Sequence, residues 1–225
     1  MLSSIKLTNI LFIDIETVPQ YSEFSLVPSP FKELWEKKST TLRIEGETPA
    51  TLYPRAGIYA EFGKIVCISC GFYFSQDEFR TFSFSGTDEK EILIEFSKAV
   101  NSFCSGVEKQ LCAHNGKEFD FPFIARRMII HGLKMPLILN TAGRKPWEVN
   151  HLDTMELWKF GDYKSYTSLV LLAAVLGIPT PKDDIDGSQV GEVYWKEQNL
   201  ERISRYCEKD VRTIGEIMKR YKGFV

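Results

Sequence analysis

The chain has 225 residues, of which 44% are hydrophobic, and a formal net charge of −2. A chain of this length can bury a substantial core, and because no long polar or Gly/Ser-rich stretch divides it, we expect one domain over residues 1–225. The near-neutral charge excludes a protein that binds nucleic acid through a strongly basic overall field, so any such contact must be local.

An apolar run that contains two carboxylates, Ile10 to Glu16, predicts the first strand. Residues from about Pro19 to Arg55 hold five of the ten prolines and mixed charge, so we expect an extended surface insertion with one helical turn near Phe31 to Lys37. Two further runs, Lys64 to Phe74 and Glu78 to Phe84, predict a hairpin. The first half of the chain therefore predicts three strands and an insertion.

The second half of the chain alternates helices and strands, which indicates an α/β fold. Asp88, with Glu91 three residues later, marks a capped helix start. The other elements are a strand at Leu111 to His114, a helix at Phe123 to His131 ended by Gly132, a strand at Val149 to Asp153, and a buried helix at Leu169 to Leu176 closed by Gly177 and Pro179. The terminal helix has the clearest periodicity, with an apolar face formed by Leu200, Ile203, Cys207, Val211, Ile214, Met218 and Tyr221.

The sequence also bears on location. The longest uninterrupted apolar stretch, Leu169 to Leu176, is too short to cross a bilayer, which takes about 20 residues. The N-terminus has no basic segment and no small-residue cleavage site ahead of a long apolar run. The five cysteines are scattered through apolar segments, which is typical of buried reduced thiols. These features predict a soluble, cytoplasmic protein with no membrane partner.

Some residues that often carry chemistry have ordinary structural explanations in this chain. Cys67 and Cys70 have the spacing of a redox or zinc pair, but they fall in a predicted strand and no second pair completes a ligand set. We therefore interpret both as buried thiols. His114 and His151 are expected to satisfy hydrogen bonds at strand ends.

Two acids lie two positions apart inside the first predicted strand, in Ile13-Asp14-Ile15-Glu16-Thr17. Side chains alternate in direction along a strand, so those of Asp14 and Glu16 leave the same face and can share one metal site. The alternative is a solvated edge face, and for an isolated D-x-E motif it would be the better explanation because the motif is so short. The pair needs support from elsewhere in the chain.

A third acid, Asp120, stands among phenylalanines where a strand ends in a glycine turn and a helix begins. It can be a metal ligand, or it can cap the helix with Pro122 at the favoured early helical position. This segment alone supports the two interpretations equally.

The terminal helix carries a tyrosine and an acid four positions apart, Tyr206 and Asp210. A spacing of four places both side chains on one face of a helix. Each lies one position before a residue of the apolar face, Cys207 or Val211, so the pair is rotated about 100° around the helix axis from that face. This places it on the flank where a helix meets a cleft. For Tyr206 alone, a tyrosine at the boundary of the core is the commoner explanation.

Together these segments resemble the DEDDy branch of the DEDD exonuclease superfamily, in particular stand-alone bacterial exonucleases related to the proofreading domain of family B DNA polymerases. The order of the acids, their contexts and the Tyr-x-x-x-Asp spacing carry the likeness. The sister DEDDh branch would need a histidine where this chain has Arg205. The resemblance covers nearly the whole chain and implies a ribonuclease H-like fold, with a central mixed five-stranded sheet flanked by helices. Secondary segments that carry it are Phe62 to Ile68, His151 to Thr154 and Asp186 to Val190.

The resemblance implies a 3′–5′ exonuclease that releases 5′-mononucleotides from single-stranded DNA with two divalent cations, Mg²⁺ or Mn²⁺, both of which suit hard oxygen ligands. It implies that Asp14 bridges both cations and that Asp120 supports one of them. Glu16 and Asp210 would hold the cation that carries the nucleophilic water, and Tyr206 would orient that water.

The same resemblance implies contacts with the substrate. Asn115 would touch the single-stranded 3′ end, Phe119 would pack close by, and Thr17 would present its backbone to the terminal nucleotide. A 3′–5′ exoribonuclease acting on RNA stays open as an alternative, because no residue is identified that senses the 2′-hydroxyl. A non-catalytic module that binds a nucleic-acid end is a second alternative, and a set of unrelated surface acids on an interaction domain is a third, weaker one.

Overall fold

The structure, a computed structural model, describes residues 5–42, 45–106, 108–162, 164–179 and 185–223. The strands are β1 (Ile10–Pro19), β2 (Gly63–Tyr73), β3 (Phe79–Ser85), β4 (Gln110–Ala113) and β5 (Leu152–Asp153). The helices are α1 (Phe31–Ser39), α2 (Pro49–Leu52), α3 (Glu89–Phe103), α4 (Asp120–Ile130), α5 (Thr154–Lys159), α6 (Leu169–Val175), α7 (Val190–Glu192) and α8 (Leu200–Lys222). A 3₁₀ segment, Tyr53–Ile58, follows α2, and a π-helical turn, Val193–Glu197, follows α7.

The five strands form one mixed sheet in the order β3-β2-β1-β4-β5. The three strands β3, β2 and β1 are antiparallel neighbours, whereas β4 and β5 run parallel to β1. Because parallel neighbours need crossover connections, the helices α3 and α4 lie between these strands in the chain and cover the sheet. The predicted α/β fold with a mixed five-stranded sheet is therefore confirmed.

The central strand β1 separates two cores. Its residues Leu11, Ile13 and Ile15 face the core formed with α3 and α4. The alternate residues Ile10 and Phe12 face the core formed with α6 and α8. Side-chain alternation therefore points the next two residues of the second series, Asp14 and Glu16, toward α8.

The terminal helix α8 is held on the sheet by the stripe that its periodicity predicts. Five residues of that stripe are completely buried: Ile203, Cys207, Val211, Ile214 and Met218. The approach to β2 and β3 is close, because a Cβ built on Gly215 would lie 2.7 Å from Phe79 Cε2. This close approach brings the middle of α8 onto the part of β1 that carries the two acids.

The insertion is not extended, and in this respect the sequence-based expectation is wrong. The single predicted turn is a nine-residue helix, α1, and Trp35 within it is fully buried with its Nε1 donating to Pro49 O over 2.8 Å. The ring of Phe62 packs edge-on against Trp35, with a centroid distance of 5.3 Å. A tryptophan covered by several apolar groups gives this segment a small core of its own, which its proline content concealed. The other buried members of that core are Val27, Leu52, Tyr53 and Ala56.

The helix α6 also differs from expectation, because most of its apolar side chains are exposed. Its ends agree with the prediction, with Gly177 at a φ of +63° just beyond the C-terminus. Only Leu172 and Ala173 are buried, whereas Val170 is 66% exposed. The helix lies on the outside of the molecule and packs along one narrow face, so its continuous apolar sequence does not mean full burial.

The spacing of the two cysteines in β2 puts them on opposite faces of the sheet. Cys67 lies in the core beside Cys207, and Cys70 lies in the core beneath α3. Both are free thiols, as expected. Across the described ranges, every helix is too short or too polar to pass through a bilayer.

Candidate active site

The acids of β1 lie on the face of the sheet that α8 covers. One ligand atom from each of Asp14, Glu16 and Cys207 falls within 4.8 Å of the others. Glu16 is only 7% exposed. The pairing of β1 with β2 shifts register directly after Glu16, so β1 has an irregularity just beyond the two acids.

Asp120 reaches the same place from the start of α4. Its Oδ1 accepts a hydrogen bond of 3.2 Å from the backbone N–H of Ile15, and the residue is 3% exposed. The bond exists because β4 ends at Ala113 while β1 continues, which leaves N–H groups of β1 without a strand partner. The N-cap of α4 is Phe119, which makes no side-chain cap. The interpretation of Asp120 as the helix cap is therefore wrong.

Tyr206 and Asp210 reach the cluster from α8. The Tyr206 hydroxyl is hydrogen-bonded to the Asp210 carboxylate one turn later. Both side chains are half-buried on the flank of the helix, beside Glu16 and Asp14. Burial first, then the negative charges of Asp210, Glu16 and Asp14, raise the pKa of Tyr206 and keep it a neutral hydroxyl.

The four carboxylates repel one another in a buried place. Burial raises the pKa of Asp14 well above its usual value, and the charges of Asp210, Glu16 and Asp120 raise it further. The pKa of Glu16 is raised in the same way, first by burial and then by Asp210. Burial raises the pKa of Asp120 to about 7, against the lowering effect of its own backbone N–H. The cluster therefore cannot ionise fully at neutral pH without a positive charge among its members.

The donor set fits a hard divalent cation. Four carboxylates offer oxygen ligands, which Mg²⁺ and Mn²⁺ prefer. The remaining member, Cys207, directs its Sγ at Asp14 Oδ2 over 3.2 Å. Burial raises the pKa of the Cys207 thiol, so it is neutral and donates a hydrogen bond instead of binding a metal as thiolate. The sequence identified Cys207 only as part of the apolar stripe, and nothing in its spacing marked it as a neighbour of the acids.

The residues expected to touch substrate surround this cluster unequally. Asn115 has a φ of +60° in the turn after β4, and its Oδ1 is buried without a hydrogen-bond partner among the described residues. Phe119 is half-buried, with its ring 5.5 Å from that of Phe123. Thr17 is half-buried at the register shift of β1. Of the three, Asn115 has an unused polar atom.

Asp153, the last residue of β5, organises the turn that carries Asn115. Its Oδ1 accepts from the backbone N–H groups of Asn115 and Met155, and its Oδ2 accepts from Lys117 N. One carboxylate thus fixes the turn after β4 and caps α5. Sequence reasoning included Asp153 in a secondary family segment without a role, because its partners lie 36–38 residues away.

The histidines differ from one another. His114 Nδ1 lies 2.9 Å from Thr154 Oγ1 and its Nε2 lies 2.9 Å from Thr167 O, as expected of a histidine at a strand end. The Nε2 of His151 is buried and lacks a partner within the described part of the chain, so the expectation is wrong for this atom. Burial, then Lys117 and Arg144, lower the pKa of His151 to about 4, so it is neutral.

Comparison with known proteins bears on this arrangement. A DNA polymerase of Thermococcus gorgonarius is 26% identical over 192 residues, which is 76% of this chain and 24% of the polymerase. An uncharacterized protein of Methanocaldococcus jannaschii is 28% identical over 142 residues, covering 59% of this chain and 74% of that protein. The chain thus spans about a quarter of the polymerase that it matches.

The fold has a counterpart among solved structures. The family B DNA polymerase of Pyrobaculum calidifontis superposes with a TM-score of 0.54 and 17% identity, over 93% of this chain and 24% of the polymerase. The sheet and its helices therefore form the ribonuclease H-like fold of a polymerase exonuclease domain. A model of predicted 3′–5′ exonucleases related to the exonuclease domain of PolB matches residues 58–214. The chain belongs to this family of predicted 3′–5′ exonucleases.

Proposed function

We propose that the chain is a metal-dependent exonuclease that hydrolyses the 3′-terminal phosphodiester of single-stranded DNA and releases 5′-mononucleotides. The observation that carries the proposal is the convergence of four carboxylates from three elements, β1, α4 and α8, in one buried cluster. A folded chain tolerates such repulsion where a bound cation or a reaction requires it.

Two divalent cations at this cluster would neutralise the charge that develops on the phosphate and would generate hydroxide from water near neutral pH. The residues of the chain have separate tasks around them. Asp14 would be a ligand to both cations. Glu16 and Asp210 would hold one of them, and Asp120, anchored by the Ile15 N–H, would support the other. Tyr206 stays protonated and orients the attacking water through its hydroxyl.

The substrate end is held by groups beside the acids. Asn115 Oδ1 accepts a hydrogen bond from the terminal nucleotide, which would satisfy a polar atom that the described residues leave unpaired. Phe119 packs beside the same nucleotide, and Thr17 presents its backbone to it. These contacts position the last phosphodiester over the cluster.

The central experiment is the digestion of a 5′-labelled single-stranded oligonucleotide with Mn²⁺. Asp14→Ala and Asp210→Ala are expected to abolish the stepwise ladder of shortened products, because each removes a carboxylate from the cation-binding cluster. Tyr206→Phe is expected to be slower than wild type by about 10-fold, because it removes the hydroxyl that orients water and leaves the charges in place.

The matched control is Glu201→Gln. It lies on the same helix as Asp210, but its side chain is 81% exposed and pairs with Arg205 on the surface. It should digest DNA at the wild-type rate. A ladder from Asp14→Ala equal to that from wild type would end the proposal, and faster digestion of a matched RNA strand would replace DNA with RNA as the substrate.

A further inference from the structure

We propose that Cys207 is the positioning residue of the Asp14 carboxylate, at the end of a buried polar chain that crosses the sheet from β3. The inference rests on the proposed function, because it concerns one of the acids of the same cluster. Cys207 Sγ donates to Asp14 Oδ2 over 3.2 Å and lies 3.4 Å from the Asp14 carbonyl oxygen. It is completely buried, so water does not compete for its proton.

The pairing of the strands aligns the polar side chains. Ser83 of β3 lies directly opposite Ser69 of β2, which lies directly opposite Asp14 of β1. Directly opposed residues of antiparallel strands point to the same face, so these three side chains form one row beneath α8. Cys67, two positions before Ser69 on the same face, lies opposite Glu16. A row of polar side chains beneath the apolar face of α8 is costly to bury unless its members are hydrogen-bonded.

Polar side chains contact one another along the whole row. At the β3 end, Ser83 Oγ donates to Glu208 Oε1 of α8 over 2.6 Å, and Ser69 Oγ lies 2.8 Å from Ser83 Oγ. In the middle, Cys67 Sγ lies 3.7 Å from Ser69 Oγ, and it is an alternative acceptor for the proton of Cys207. The row therefore connects two carboxylates, Glu208 and Asp14, through two serines and two cysteines.

Counting protons gives the direction of these bonds, because each hydroxyl or thiol has one proton to donate. Ser83 gives its proton to Glu208, so Ser69 must donate to Ser83. The Cys67 proton then goes to Ser69, or to Ser204 Oγ at 3.8 Å. Cys207 has two possible acceptors, Cys67 and Asp14, and its proton goes to Asp14 because a carboxylate is the stronger acceptor.

This arrangement fixes one rotamer of Asp14. Oδ2 is held by Cys207, which leaves Oδ1 as the oxygen for a cation. Partners that orient a ligand in this way typically change metal affinity by about 10–100-fold when they are removed. Cys207 thus acts on cation binding through Asp14 and touches neither cation nor substrate.

The test measures binding of Mn²⁺ alone to the full chain by calorimetry, without substrate. Cys207→Ala removes the donor and leaves a small cavity, whereas Cys207→Val removes the donor and fills the space. Both are expected to bind Mn²⁺ about 10-fold more weakly than wild type. Cys207→Ser keeps a donor on a shorter bond and should recover part of the affinity. If Cys207→Ala or Cys207→Val fails to fold, the other still compares no donor with the donor of Cys207→Ser, and if Cys207→Ser fails, wild type supplies the donor.

The matched control is Cys112→Ala. Cys112 is also completely buried on the α8 side of the sheet, but it lies in the apolar core with Phe12. It should bind Mn²⁺ as wild type does. Wild-type affinity in Cys207→Ala and Cys207→Val would overturn the role of Cys207, and so would an affinity of Cys207→Ser no higher than that of Cys207→Ala. Either result would leave the proposed function standing. Failure of the wild-type protein to bind Mn²⁺ would overturn the proposed function with it.

Discussion

Two clusters of buried charge lie among the described residues, and they differ in how their charges are balanced. In the first, Glu89 at the start of α3 binds Arg127 of α4 through both carboxylate oxygens, and both side chains are 5% exposed. Ile65 N donates to Glu89, and Arg127 donates to Ala60 O. His131 Nε2 also lies 2.7 Å from Glu89 Oε2, so the buried carboxylate has two side-chain partners within the chain.

The second cluster, around Asp14, gathers four carboxylates, and burial together with the charges of neighbouring acids raises the pKa of Asp14, Glu16 and Asp120. The first cluster is complete within the folded chain, and it joins α3, α4 and the base of the insertion. A cation from solution would relieve the repulsion among the acids of the second cluster. Burial of charge alone therefore does not identify a functional site, whereas burial of unbalanced charge does.

The largest expected effect comes from breaking the balanced cluster. Arg127→Ala removes the guanidinium that binds both oxygens of Glu89 and leaves His131 Nε2, 2.7 Å from Glu89 Oε2, beside the buried carboxylate, so the free energy of unfolding should fall by about 3–5 kcal/mol. Urea unfolding followed by circular dichroism measures this change. The double variant Arg127→Met with Glu89→Gln is the control, since it removes both charges and should lose less. An equal loss of stability in both variants would show that the unpaired charge of Glu89 is not the cause of the loss.

A smaller effect is expected from balancing the second cluster. Mn²⁺ at about 100 times its dissociation constant should stabilise the protein by about 2.7 kcal/mol, because it binds the folded state. The same Mn²⁺ should leave the stability of Asp14→Asn nearly unchanged. Thermal unfolding with and without the cation measures both. Equal stabilisation of the two proteins would place the cation elsewhere.

The smallest expected effect is a pH dependence in the presence of a chelator. The folded-state pKa of Asp120 is raised from 3.8 to about 7, so the folded chain holds a proton that the unfolded chain has lost. This contribution to stability is present below about pH 4 and is lost as the pH rises through about 7. Wild type should therefore lose stability relative to Asp120→Asn over that range. A difference that does not change with pH would contradict the raised pKa.

The sequence predicted the sheet, the order of its elements and the stripe of α8, because period-2 and period-3.6 patterns report directly which side of an element is buried. It also predicted which acids come together, through a family likeness as much as through geometry. It did not predict the bond from Ile15 N to Asp120. That bond depends on β1 extending beyond β4, and strand ends are the least regular feature of a pattern.

Two further failures have physical causes. The proline-rich insertion contains a buried Trp35, and packing around one large ring outweighed the composition of the segment. Cys207 fits an apolar stripe equally well as a core residue and as a hydrogen-bond donor. Its partner Asp14 lies 193 residues away in the chain, so no local pattern could connect them.

The large sequence separation between the residues of the site also determines when the site can form during folding. The Ile15–Asp120 bond joins residues 105 apart, and the Cys207–Asp14 bond joins residues 193 apart. Loop closure over such distances is slow, and β1 is made long before α8 during synthesis. A nascent chain that has folded its sheet still lacks Tyr206 and Asp210. Hydrolytic competence would therefore arise late, when the final helix docks, so a partly folded chain would not cut nucleic acid.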